Sequence, residues 1–255
     1  MLHCANCVDF MQNMEVDSVD MTLTSPPYDD LRTYNGYDFD FEAIAKGLFR
    51  ITKQGGVVVW VVADRTKDGD ESGTSFRQAL YFKEIGFKLF DTMIYAKKGS
   101  GGKRFNRYIP VFEYMFIFSK GKPKTTNFLM DRPNKHAGKL QGGQTLRDTK
   151  GELTSRKTKS VIPTHGKRTN IWEYTIGGGG TKDKIAHQHP AIFPEKLAQD
   201  HILSWTNPND LVFDPMCGSG TTGKMALLNN RRFIGVDISQ EYIDIATERL
   251  GLLVA

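Results

Sequence analysis

The run Val57-Val58-Val59-Trp60-Val61-Val62 sets six consecutive apolar, mostly β-branched residues in a row with no alternation. A strand with one wet face alternates apolar and polar residues, so a continuous run predicts a strand covered on both faces. That is the habit of parallel sheets flanked by helices. The neighbouring segments agree. Phe41, Ile44, Ala45, Leu48 and Ile51 fall at helical spacing and give way to Gly55-Gly56, while Thr74 to Ile85 reads as a helix closed by Gly86. Val19 to Thr24, Leu89 to Ala96 and Tyr114 to Phe118 read as strands. Towards the C-terminus a helix from Pro194 to Trp205, a strand Leu211 to Asp214, a helix Thr221 to Leu228, a strand Arg232 to Val236 and a helix Gln240 to Leu250 follow one another. Alternation of this kind predicts an α/β fold on a mostly parallel sheet. Trp60, inside the apolar run, is expected in the core.

The chain has 255 residues, 39% of them hydrophobic, enough for a sizeable core. Its longest uncharged apolar run, Val57 to Ala63, is far short of the roughly 20 residues a membrane span requires. No membrane association is expected, and the N-terminus lacks the basic flank and apolar stretch of a signal peptide. Three cysteines cannot pair completely, so a reducing cytoplasm is the expected compartment. Cys4-x-x-Cys7 is half of a zinc spacing without a second pair, and no metal is expected.

Charge is unevenly spread. Residues 97–187 hold 20 Lys and Arg against 6 Asp and Glu, a net +14, which leaves the remainder at −9. A basic insert in an acidic body points to a polyanion, because clustered Lys and Arg neutralise phosphates and release counterions. Phe105, Tyr108, Trp172 and Tyr174 interleave with the charge, and the expectation is that they stack on bases or wedge between them. Asp64 to Glu71 and His187 to His189 read as solvated loops.

Two turns carry the chemistry. After the strand ending at Asp214 comes Pro215-Met216-Cys217-Gly218-Ser219-Gly220-Thr221, a glycine turn at a helix N-terminus that lets backbone amides approach a ligand closely. Asp237 closes the next strand, 23 residues after Asp214, where a carboxylate accepts hydrogen bonds from ribose hydroxyls. A third glycine of the dinucleotide type is missing, and Asp214 would repel a pyrophosphate. S-adenosylmethionine, which carries an ammonium and a sulfonium, fits such a turn and NAD does not. Cys217, Gly218, Ser219, Gly220 and Thr221 are therefore candidate cofactor contacts. The other turn, Ser25-Pro26-Pro27-Tyr28, follows a strand C-terminus, where open α/β sheets place ligands. The Ser25 hydroxyl and the Pro26 carbonyl give two acceptors for one NH₂ group, and Tyr28 gives a flat aromatic face.

Together, Thr24-Ser25-Pro26-Pro27-Tyr28, His189-Pro190-Ala191-Ile192-Phe193-Pro194-Glu195-Lys196-Leu197 and Asp214 to Thr222 resemble the motifs of DNA amino-methyltransferases. The catalytic motif precedes the cofactor motif, an order similar to the permuted β group. The resemblance implies a Rossmann-like methyltransferase fold with circularly permuted motifs: residues 1–98 as catalytic half, 99–187 as target-recognition insert and 188–255 as cofactor-binding half. It implies that Ser25 and Pro26 hold the target amine and that Tyr28 stacks on a base flipped out of double-stranded DNA. Asp214, Gly218 and Gly220 would line the methionine end of S-adenosylmethionine, Asp237 the ribose, and Phe193 the same pocket. Where the family commonly shows Gly-Asp near the adenine this chain has Ala5-Asn6, and Asn6 can still hydrogen-bond. Relatives often pair, so a homodimer is among the implied assemblies. Leu23-Thr24-Ser25-Pro26-Pro27-Tyr28 resembles the cytosine-N4 signature, whereas adenine-N6 relatives more often carry Asp in the Ser25 position; adenine N6 is the alternative target. Relatives acting on RNA or protein amides usually have Asn there. A DNA-binding regulator without catalysis is disfavoured by the complete turns.

Overall fold

The computed structural model describes residues 1–27, 39–99, 107–141, 145–155, 160–176, 179–181, 183–189 and 193–251. Two compact units divide the chain, residues 1–127 with 170–255, and residues 128–169.

The first unit begins with β1 (Leu2–Cys4), α1 (Cys7–Asn13), β2 (Val19–Thr24), α2 (Phe41–Ile51) and β3 (Thr52–Val62). A small hairpin, β4 (Thr66–Lys67) with β5 (Asp70–Glu71), stands where a plain loop was expected and leads to α3 (Thr74–Glu84), β6 (Lys88–Lys98) and β7 (Phe112–Ser119). The helix starts have local causes: the side chains of Asn6 and Asp40 accept hydrogen bonds from the amides of Val8 and Ala43, capping α1 and α2. The stripe Ile44, Ala45, Leu48 and Ile51 then turns α2 into the core beside Trp60, Phe82 and Phe118, all buried. Trp60 satisfies its indole N–H on Gln78 Oε1 at 2.9 Å.

In the second unit the described strands are β8 (Arg132–Pro133), β9 (Leu140–Gln141), β10 (Thr145–Arg147), β11 (Leu153–Ser155), β12 (Ser160–Val161) and β13 (His165–Gly166). They pair β8 with β13, β9 with β12 and β10 with β11, all antiparallel. The nesting makes this segment one long hairpin whose tip lies between Arg147 and Leu153. Asp148 Oδ1 accepts from the amides of Lys150 and Glu152 and fixes that tip.

The chain re-enters the first unit with β14 (Ile171–Thr175), followed by α4 (Glu195–Trp205), β15 (Leu211–Asp214), α5 (Thr221–Leu228), β16 (Arg232–Asp237) and α6 (Gln240–Gly251). The eight strands order as β1-β16-β15-β2-β3-β7-β6-β14, and β7 alone runs against the rest. The fold is thus α/β with a mostly parallel sheet. Of residues 99–187, the segment 128–169 forms its own unit, whereas β7 and β14 are strands of the large sheet.

Burial overturns one expectation about β14. Trp172 and Tyr174 are not surface aromatics ready to meet bases: both are buried, the Trp172 ring lying against His201 and the Tyr174 hydroxyl donating to Asp200 at 2.8 Å. Their neighbours Ile171, Glu173 and Thr175 point outward, the period-2 pattern of a half-covered strand. Tyr108 is fully exposed, and Phe105 lies outside the described residues. Among the described residues no helix is long and apolar enough to cross a membrane.

Candidate active site

Strand order assembles the site. β2 and β15 are adjacent and parallel, with Val212 opposite Met21 and Phe213 opposite Thr22, so Asp214 and the Thr24-Ser25-Pro26 segment leave the sheet side by side. β16 lies on the other side of β15 and ends at Asp237, and β1 flanks it with Cys4 opposite Asp237. The Ala5 amide donates to the Asp237 carbonyl at 2.9 Å, which brings Asn6 to the same end of the sheet. Four strand ends far apart in sequence therefore share one edge, the usual ligand edge of an open α/β sheet.

The glycine turn works differently from the expected amide cradle. The amides of Cys217, Gly218 and Gly220 are bonded inside the fold, to the Val236 carbonyl (2.9 Å), Asp237 Oδ2 (2.9 Å) and the Cys217 carbonyl (2.8 Å). What the turn does is hold Asp237 beside Asp214. Gly218 and Gly220 have φ of +47° and +77°, left-handed values natural to glycine. A side chain is also excluded by space: a Cβ at Gly218 would lie 2.9 Å from His189 Nε2, and one at Gly220 2.9 Å from the Ala246 Cβ. His189, expected on a surface loop, is buried over this turn, with its ring edge-on to Tyr242.

The electrostatics follow from the geometry. Burial, then repulsion from Asp237, pushes the Asp214 carboxyl up to about 6, against the pull of the Thr24 and Thr222 hydroxyls and the Met216 amide. Burial also raises Asp237, opposed by the Ser239 and Gly218 amides and by the charge of His189. Thr24 Oγ1 is buried without a hydrogen bond of full geometry, although it faces Asp214 closely enough to counter the rise. Cys217 is buried, and its burial beside both carboxyls keeps the thiol well above its usual range, which suits a pocket lining and not a nucleophile.

Ser25 is half-buried and Pro26 buried at the end of β2; Tyr28 lies outside the described residues, as do Pro190, Ala191 and Ile192. Phe193 is half-buried just before Pro194, which caps α4, and α4 packs on β2 and α5. Ser219 and Thr221 are buried and accept hydrogen bonds from Arg249. Thr24, Thr222 and His189 are the site neighbours that motif reading did not single out. Two buried, mutually repelling carboxyls at this sheet edge disfavour phosphates and favour a cation.

The mostly parallel sheet, with the glycine turn and paired carboxyls at its C-terminal edge, is a Rossmann-like α/β architecture. The N6/N4 methyltransferase family model, described as DNA methylase, matches residues 19–248, and the chain belongs to that family of DNA amino-methyltransferases, with the β-group order of motifs. It is similar to the orphan methyltransferase M.BamHII of Bacillus amyloliquefaciens, 59% identical over 94% of this chain and 91% of that protein. The type II methyltransferase M.HpaI of Haemophilus parainfluenzae is 28% identical over 98% of this chain and 73% of its own length. Among solved structures, the cytosine-N4-specific PvuII DNA methyltransferase superposes with a TM-score of 0.69 at 18% identity, covering 97% of this chain and 85% of that one. M1.HpyAVI in complex with S-adenosylmethionine gives 0.64 at 21% identity, with 98% of both chains covered. These two likenesses concern the fold.

Proposed function

We propose that the protein transfers a methyl group from S-adenosylmethionine to the exocyclic N4 of cytosine in double-stranded DNA. The observation that supports this reading is the adjacency of the parallel strands β2 and β15, whose C-terminal ends lead into Ser25-Pro26 and carry Asp214. The cofactor fits the site on charge: its ammonium would relieve a buried carboxyl that the hydroxyls of Thr24 and Thr222 and the Met216 amide counter without outweighing its burial. When bound, it supplies an electrophilic methyl on sulfur.

The chain's own residues then do the following. The Ser25 hydroxyl and the Pro26 carbonyl accept the two hydrogens of the target amine and draw its nitrogen towards tetrahedral geometry. The lone pair, otherwise conjugated with the ring, becomes free to attack in line, and positioning with fixed dipoles supplies much of the rate. With the cofactor bound, the methyl would pass from sulfur to this nitrogen, the sulfur keeping the bonding pair, and the surplus amine proton would go to solvent. Asp214 would hold the ammonium end, Asp237 the ribose and Asn6 the adenine side, with Phe193 lining the same pocket. Cys217, Gly218, Ser219, Gly220 and Thr221 shape the wall. Extruding the base costs a few kcal/mol. Stacking on Tyr28, worth roughly 1–3 kcal/mol, offsets part of that cost. The long hairpin 128–169, with 10 Lys and Arg against 3 Asp and Glu, serves as the target-recognition element inside the wider basic segment 99–187.

Serine at position 25 favours cytosine by its likeness to the N4 signature, although either amine can donate to either acceptor. Mass spectrometry of nucleosides from treated, methylation-free DNA tests the reading. N4-methylcytosine is expected; N6-methyladenine alone overturns the choice of base, and no methylated nucleoside overturns the reaction.

A further inference from the structure

α6 carries a cation that neither motif accounts for. Arg249 sits in its last turn, where a basic residue ordinarily points to solvent, yet it is 1% exposed. Its Nη1 donates to the Ser219 carbonyl at 2.5 Å and to the hydroxyls of Ser219 and Thr221, both at 3.1 Å. Nε donates to Asp183 Oδ2 at 2.8 Å and Nη2 to Glu195 Oε1 at 3.2 Å. Lys224 reaches the same two carboxylates, at 3.3 and 2.8 Å, and the Thr181 hydroxyl donates to Glu195 at 2.7 Å. Two cations thus face two carboxylates, and Asp183 stays below the usual carboxylate range because Arg249 and Lys224 outweigh its burial.

These partners belong to three separate stretches. Ser219 and Thr221 flank Gly220 in the glycine turn. Asp183 Oδ1 accepts from the Ile185 amide and starts the short 3₁₀ turn Ile185–Gln188 that delivers His189. Glu195 opens α4 two residues after Phe193. The same face of α6 presses Ala246 and Leu250 against Gly220 and Tyr242 against His189. A bolt between helices would need only the carboxylates; Arg249 also grips the turn that carries Asp237 on its Gly218 amide.

We propose that Arg249 is a positioning residue for the cofactor: its guanidinium ties the glycine turn to the segments bearing His189 and Phe193 and so sets the spacing of the two pocket walls. The proposal rests on the S-adenosylmethionine reading. It predicts a loss specific to the cofactor, with duplex binding and the chemical step spared.

The test uses the full chain, with isothermal titration of S-adenosylmethionine, duplex binding, thermal melting and turnover at saturating cofactor measured side by side. Arg249→Lys keeps the charge but loses the planar fork, and should weaken cofactor binding about tenfold, the value of one charge-assisted hydrogen bond. Duplex affinity and turnover at saturation should stay within about twofold of wild type. Thr181→Val trims the same network without touching the turn, and should lower the melting point while leaving cofactor affinity intact. Cofactor binding by Arg249→Lys equal to wild type overturns the proposal, and so does a loss that tracks melting temperature in both variants. Arg249→Gln is a second probe; should it fail to fold, the Lys and Thr181 variants still decide. A wild type that binds no S-adenosylmethionine overturns the cofactor reading and this proposal with it, whereas wild-type binding matched by Arg249→Lys overturns this proposal alone.

Discussion

On the proposed reading, Asp214 makes cofactor binding depend on pH. Its carboxyl is raised to about 6, above its value in the unfolded chain, so the folded protein holds this proton more tightly. The group's contribution to stability is therefore present below the unfolded value and is lost as pH rises through about 6. Cofactor binding has the opposite slope, because a cation favours the ionised form. Affinity for S-adenosylmethionine should climb as pH rises through about 6 and then level off, with proton release visible by calorimetry in buffers of different ionisation heat. Asp214→Asn should flatten that climb; an unchanged slope assigns the titration elsewhere. Ser25→Ala should lower turnover about 100-fold, the usual cost of one preorganised polar contact, with cofactor affinity nearly intact. Loss of cofactor binding in that variant would contradict its place at the amine. The positions of Ser25, Asp214 and Asp237 at strand C-termini were legible because Val19–Thr24, Leu211–Asp214 and Arg232–Asp237 read as strands. Thr24, Thr222 and His189 stand at the ends of the quoted motifs, but their part in the site was not legible, since it comes from facing a carboxyl or a glycine that only the folded sheet brings near. Trp172 and Tyr174 were misread because dense charge around them masked a period-2 alternation.

At the level of elements, the strand–turn–helix unit from β15 to α5 depends on α6 as its seat. Gly220 is left-handed and has the Ala246 Cβ 2.9 Å from where its own Cβ would stand. Gly220→Ala should cost about 1–3 kcal/mol of stability from backbone strain, before any repacking of Ala246 and Leu250. Thermal unfolding measures it, and a melting point equal to wild type would show that the turn tolerates a side chain. The helices α2, α4, α5 and α6 announced themselves by spacing and by their glycine or proline borders. β1 and α1 did not: three residues carry no period, and β1 exists because β16 offers it a parallel edge, with the Met1 amino group donating to the Phe233 carbonyl at 2.7 Å. The turn amides show the same limit. A glycine pattern states that the chain bends tightly, not whether its N–H groups face a ligand or, as here, an aspartate of the next strand.

Across the whole molecule, the permuted order of motifs is reconciled by the sheet, which inserts late β15 between late β16 and early β2. Alternation and the continuous apolar run foretold that architecture; the nested hairpin of residues 128–169 was hidden, because strands of two or three residues among lysines leave no hydrophobic period. Replacing Lys135, Lys139, Arg147 and Lys150 by Ala should weaken duplex binding and reduce the slope of log affinity against log salt by about one for each phosphate no longer neutralised. A slope equal to wild type would remove the phosphate role from this hairpin. The most direct examination of the account is a crystal structure with the demethylated cofactor product and a duplex bound. It should show one everted base with its amine against Ser25 Oγ and the Pro26 carbonyl, the ligand's ammonium at Asp214 and its sulfur facing that amine. A cofactor bound away from Asp214, or a base whose amine meets neither acceptor, would contradict it.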